Sequence, residues 1–229
     1  MDFSIGQIYH VFNRSNNSQL VFRERNNYLY FLSKIKDHIS PHAQIIAWCL
    51  MPTHFHLMIE VIKDRIEIVP DPMITASDPM TGVHRISIGT EANTHPMNPS
   101  HRMSHPPTTK VRTLNDSIAI MLRSYTRAIN KHSGMHGSLF QQHTKAICIT
   151  EPKFAPAYFN THFGMIGNLA LPEKEYPNVC FNYIHQNPVN DRLVKNPEDW
   201  EFSSYRDYYV GRKGKLINRE LAKELGLTT

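Results

Sequence analysis

The stretch AQIIAWCLMPTHFHLMIEV, residues 43–61, sets two apolar runs either side of Pro52 and Thr53. The runs AQIIAWCLM and HFHLMIEV are strand-sized, and a two-residue link between them predicts an antiparallel hairpin. Alternation divides the second run into two faces, with Phe55, Leu57, Ile59 and Val61 on one and His54, His56, Met58 and Glu60 on the other. Two imidazoles therefore leave one strand in the same direction. Neutral imidazole is a common ligand for divalent ions, and two from one rigid strand fix half of a coordination sphere. A pair of partly buried, hydrogen-bonded histidines without an ion is an equally good reading of that spacing taken alone.

Upstream, GQIYHVFNRS (residues 6–15) nearly alternates aromatic and β-branched residues before a run of turn formers, which predicts a first strand. ERNNYLYFLSKIKDHI (residues 24–39) spaces Tyr28, Phe31, Leu32, Ile35 and Ile39 as one helical stripe, with Pro41 just beyond its end. Downstream of the hairpin the hydrophobic period disappears. From about residue 64 to residue 110, seven prolines scatter through a polar stretch that also holds His84, His95, His101 and His105. Such a segment buries too little apolar surface to offset its ordering entropy, so it is expected to be an irregular insertion.

Periodicity returns in TLNDSIAIMLRSYTRAINKHSG (residues 113–134). Leu114, Ile118, Met121, Leu122, Tyr125 and Ile129 form its apolar stripe, and Arg123, Arg127, Asn130 and Lys131 lie off it. KAICIT (residues 145–150) reads as another strand. YPNVCFNYIHQNPV (residues 176–189) reads as a helix with Cys180, Tyr183, Ile184 and Asn187 on one side, expected to stop at Pro188. Residues 206–229 form a tail that is basic first and then weakly helical. The order β, α, β, β, α, β, α predicts one α+β domain: a sandwich of a small antiparallel sheet with helices packed on one face, carrying the insertion.

Composition bounds the function. At 229 residues, 41% hydrophobic and 20% charged, the chain matches a soluble globular protein, and its longest apolar run is far short of a membrane span. The first ten residues carry no secretion signal, so a cytoplasmic protein is the expected default. Cys49, Cys148 and Cys180 lack the spacing of a disulfide framework or zinc knuckle and read as buried thiols. The net charge is +5, and residues 110–145 hold six Lys or Arg against the single acid Asp116, so one segment carries an excess equal to that of the whole chain. A polyanionic partner is the expectation.

Tyr183 and Asn187, four residues apart, share a helix face. If that helix crosses the histidine-bearing sheet, the Asn187 amide oxygen could complete an ion site beside the Tyr183 phenol. The competing reading is a core tyrosine with a satisfied hydroxyl.

Taken together, YHVFNRSNN, AWCLMPTHFHLMIE, YTRAINKHSGMHGSLFQ, YIHQNPV and LVKNPEDWEFSSY occur in the order found in a known family. The chain resembles the HUH single-tyrosine transposases, in the branch of REP-associated tyrosine transposases related to small insertion-sequence transposases. It departs from them at Thr53, where the family often has Asn, and in the Pro-rich insertion.

The resemblance implies a ferredoxin-like fold and metal-dependent cleavage and rejoining of single-stranded or hairpin DNA through a 5′-phosphotyrosine. Under it, His54 and His56 hold Mg²⁺ or Mn²⁺ and Tyr183 is the nucleophile. Asn187 is the third ligand, with His185 and Gln186 as less well placed substitutes. Arg123, Arg127 and Lys131 contact phosphates, and Phe140 stacks on unpaired bases. Tyr125 is the rival nucleophile, but its place in the apolar stripe assigns it to the core. Monomer and homodimer are both open, because related transposases can exchange the tyrosine helix between subunits.

Two other readings compete. One is a non-catalytic nucleic-acid-binding domain of the same fold. The other is a His-X-His amidohydrolase, although roughly 180 residues outside the insertion fall short of the about 250 that a TIM barrel takes.

Overall fold

The computed structural model describes residues 2–68, 110–150, 158–161, 164–167 and 175–228. Two compact units divide the chain: residues 1–66 with 112–229, and residues 67–111. The core of the Pro-rich insertion, with its four histidines, lies outside the described residues. Its flanks are strands, β4 (Arg65–Ile68) and β5 (Lys110–Thr113), paired as a two-stranded ribbon.

The first unit is built on a βαββαβ core: β1 (Ile8–Arg14), α1 (Arg25–His38), β2 (Ala43–Met51), β3 (His54–Val61), α2 (Leu114–Ser133) and β6 (Lys145–Cys148). These four strands form an antiparallel sheet in the order β2-β3-β1-β6, the ferredoxin-like topology. No barrel of parallel strands is present among the described residues. The predicted hairpin is there, with Met51 opposite His54 across the Pro52–Thr53 turn. A register shift between Ile45 and Ala47 turns β2 over by one residue. Ile45, Trp48 and Leu50 therefore face one layer, and Ala47, Cys49 and Met51 face the other.

Each sheet face has its own core. Phe55, Leu57, Ile59 and Val61 pack against Phe31 and Ile35 of α1 and Ile118, Met121 and Tyr125 of α2. Burying a side chain of this size contributes about 1.5–3 kcal/mol, so this face, the expected helical one, holds the larger share of stability. Tyr125 is fully buried and donates its hydroxyl to the Val21 carbonyl at 3.0 Å, as its stripe position predicts.

Residue Thr113 caps α2. Its hydroxyl accepts the Asp116 N–H at 3.1 Å, and the Asp116 carboxylate accepts the Thr113 N–H at 3.1 Å. Thr113→Ala is expected to lower stability in urea melts by about 1 kcal/mol.

The opposite face carries α3 (Tyr176–Asn190), whose Cys180, Phe181 and Ile184 pack on Cys49, Met51 and Met58. Two further strands, β7 (Tyr158–Thr161) and β8 (Gly164–Gly167), pair with each other. Pro188 does not end α3, contrary to the sequence expectation. It lies in the last turn, where its missing N–H costs only one ladder bond. The end is then closed by Arg192 N–H to the Val189 carbonyl and Leu193 N–H to the Pro188 carbonyl, both at 2.9 Å, with Arg192 left-handed at φ 57°.

The C-terminal segment folds back along β2. Leu50 N–H donates to Phe202 O and Ser204 N–H to Trp48 O, each at 2.9 Å, which covers an otherwise open sheet edge. The short helices α4 (Tyr205–Tyr209) and α5 (Arg219–Glu224) complete the expected tail. The buried Asp207 holds them through the Arg212 guanidinium at 2.7 and 2.8 Å. No described helix is long and apolar enough to cross a membrane.

Candidate metal and tyrosine site

Antiparallel register places His54 and His56 opposite Arg14 and Phe12 of β1, with His10 opposite Met58. Residues directly opposite share a face, so a row of His10, Phe12 and Arg14 runs beside the row of Met58, His56 and His54. Helix α3 covers part of this face and lays the Tyr183 ring edge-on against both His56 (centroids 5.5 Å apart) and His10 (5.9 Å). The His54 and His56 rings stand perpendicular, 5.1 Å apart.

Because α3 continues past residue 187, Asn187 projects one turn beyond Tyr183 on the same side. Its carboxamide nitrogen donates to the Tyr183 carbonyl at 2.9 Å, and the amide also hydrogen-bonds the His54 ring and the Tyr183 phenol. Four residues from two distant parts of the chain, His54, His56, Tyr183 and Asn187, thus converge within one chain.

The electrostatics follow from burial. His56 is 4% exposed, and its pKa is held well below 6.5 by desolvation, then by its two histidine neighbours. His54 is lowered by the same cause, with Asp191 and Asn187 opposing. Both rings are neutral at pH 7, the form that ligates. The Tyr183 phenol is pushed above its ordinary 10 by burial, and the Asn187 hydrogen bond pulls it back down.

Whether this donor set suits a divalent ion turns on its free lone pairs. His56 Nε2 is buried and has no hydrogen-bond partner among the described residues. A buried nitrogen of this kind beside a second imidazole and a carboxamide fits an ion. Among the described residues, no three His, Cys, Asp or Glu side chains are grouped to hold a metal, so any site here needs the Asn187 amide as well as the two imidazoles. Thr53, the departure from the family pattern, bonds His54 Nδ1 through its hydroxyl at 3.0 Å and so helps to set that ring.

Other expected site residues fall elsewhere. His185 is buried on the far side of α3, its Nε2 2.7 Å from Ser204 Oγ, where it ties α3 to the C-terminal segment and cannot substitute as a ligand. Gln186 is exposed. Arg123, Arg127 and Lys131 are exposed on α2, in the layer on the other face of the sheet from His54. With residues 134–138 and 140–144 they line a groove of about 950 Å³.

Phe140 is corrected: it is 3% exposed and packs against Phe31, Phe55 and Tyr125, so its ring belongs to the core and cannot stack on a base. Phe12 is the better-placed aromatic, half-buried beside the histidines with the Lys145 ammonium 5.8 Å from its ring. His10, Phe12 and Arg14 escaped the sequence reading as site residues, and Lys145 entered it only as one charge of the basic segment. Alternation in YHVFNR groups the first three, but only the pairing with β3 shows which face they join.

No family model and no curated protein sequence matches this chain. Among solved structures, one described as a REP-associated tyrosine transposase bound to a REP hairpin superposes with a TM-score of 0.49 and 14% identity, over 95% of this chain and 86% of that one.

Proposed function

We propose that this protein is a DNA transposase that cleaves and rejoins single-stranded, hairpin-associated DNA through Tyr183. The observation that carries the reading is the convergence of His54, His56 and Asn187 on the Tyr183 ring. Chance burial of a His-X-His pair accounts for neither the tyrosine nor the bridging amide. A Mg²⁺ or Mn²⁺ held by His54, His56 and Asn187 would supply positive charge to a non-bridging oxygen of the scissile phosphate.

The protein's own contribution is nucleophile and alignment. Tyr183 Oη forms a bond to phosphorus as the bond from phosphorus to the 3′ oxygen breaks, giving a 5′-phosphotyrosine and a free 3′-hydroxyl. The phenol gives up one proton and the 3′ oxygen takes one, so the step is balanced and reversible. Burial disfavours the phenolate, and the Asn187 hydrogen bond offsets part of that cost. Phe12, Arg14 and Lys145 border the same face and suit an incoming strand.

The test is incubation with Mn²⁺ and a panel of single-stranded hairpins, followed by denaturing electrophoresis. A denaturant-resistant protein–DNA adduct is expected, and retained binding with no adduct on any hairpin would leave only the non-catalytic binding domain. The groove on α2 gives a second expectation. Replacing Arg123, Arg127 and Lys131 with Ala should weaken hairpin affinity and flatten its log–log salt dependence by about 0.7 per lost phosphate contact, so about two in all.

A further inference from the structure

We infer that His10 is a positioning residue of this site: its Nε2 accepts the Nδ1 proton of His56, so that His56 keeps its lone pair on Nε2. The inference rests on the metal reading above and names a residue that reading does not use. His10 Nε2 and His56 Nδ1 are 2.9 Å apart, and both side chains are buried. The two rings are nearly parallel, 24° apart in plane, and His10 is stacked on Phe12 at 4.7 Å, so neither ring is free to turn.

Both rings are buried, and a 2.9 Å contact between two ring nitrogens needs a proton on one and a lone pair on the other. That leaves two arrangements. If His10 donates, His56 carries its proton on Nε2 and cannot ligate through that atom. If His56 donates, the same atom is a bare lone pair. Either arrangement leaves one ring N–H of the pair pointing away from the other ring, so ligation and not N–H burial separates them. A ligating histidine almost always donates its other N–H to such a partner, which fixes tautomer and orientation and raises basicity. Here the partner is a second imidazole on the neighbouring strand, placed by the register of β1 on β3.

The decisive measurement is a long-range ¹⁵N–¹H correlation spectrum of the metal-free protein, with His56 assigned by the loss of its signals in His56→Gln. The proton is expected on Nδ1, and a proton on Nε2 overturns the inference whether or not any metal binds. Mn²⁺ titration followed by electron paramagnetic resonance, without DNA, then tests the consequence. His10→Phe should weaken Mn²⁺ binding roughly 10- to 100-fold, and His10→Gln, whose Oε1 can still accept from Nδ1, should retain the tautomer and recover most of the affinity.

Wild-type Mn²⁺ affinity in His10→Phe would overturn the inference. Mn²⁺ binding unaffected by His54→Ala and His56→Ala would instead overturn the metal reading, and the wild-type spectrum would still decide the role of His10. A His10→Phe protein that does not fold leaves the wild-type spectrum and His10→Gln to decide.

Discussion

Tyr183→Phe is expected to abolish the covalent DNA adduct, with a loss on the order of 10³-fold or more, while hairpin affinity stays within about twofold. The substitution deletes one oxygen. It keeps the ring that stands edge-on to His56 and His10, so the imidazoles retain their wall. It also removes the phenol's hydrogen bond with Asn187, at a cost of about 1 kcal/mol in stability.

Tyr125→Phe is the matched control. Its hydroxyl is buried on the Val21 carbonyl in the other layer, so the same change there should cost similar stability and leave the adduct intact. Adduct formation by Tyr183→Phe would remove Tyr183 from the chemistry. Loss of the adduct in Tyr125→Phe at full stability would point to the rival tyrosine.

The protein should also lose about 4 kcal/mol of stability between pH 8 and pH 5 in EDTA. His10 and His185 are both buried, and desolvation pushes each to about 3 from an ordinary 6.5. The sign follows from proton counts. In the window between those values the unfolded chain binds the protons and the folded one does not, so stability is complete above about pH 6.5 and falls as the pH drops toward 3. Each group contributes roughly 1.5 pH units of linkage by pH 5, or about 2 kcal/mol. His56 is lowered in the same direction and adds to the loss.

Urea melts at pH 8, 6.5 and 5 with an unchanged m-value measure it. His185→Gln, which can still bond Ser204, should remove about half of the slope attributed to the pair. A flat profile from pH 8 to 5 would mean that these rings take up protons in the folded state, and the neutrality assumed for the site would fail with it.

Local patterns made much of this protein legible. Strand alternation separated Phe55 and Leu57 from His54 and His56, and helical period put Tyr183 and Asn187 on one side of α3 and Tyr125 in the apolar stripe of α2. Those readings depend only on where successive side chains point within one element. They survive any tertiary arrangement, and the βαββαβ order then leaves few ways to close the sheet.

Register and packing decided the rest, because both couple residues far apart in the chain. His10 is an ordinary strand residue until β1 pairs with β3 and puts it against His56. Phe140 is expected to stack on unpaired bases, but its segment closes over Phe31 and Phe55 instead. Pro188 reads as a stop, yet the end of α3 lies beyond it, where backbone bonds at Arg192 and Leu193 make up for one lost. Sequence by itself determined the strands and helices of the βαββαβ core and which side chains each presents together, but not the short strands β4, β5, β7 and β8. Only the tertiary structure decided which faces meet, because a hydrogen-bonded register and a packed core are set by partners a hundred residues away and not by neighbours along the chain.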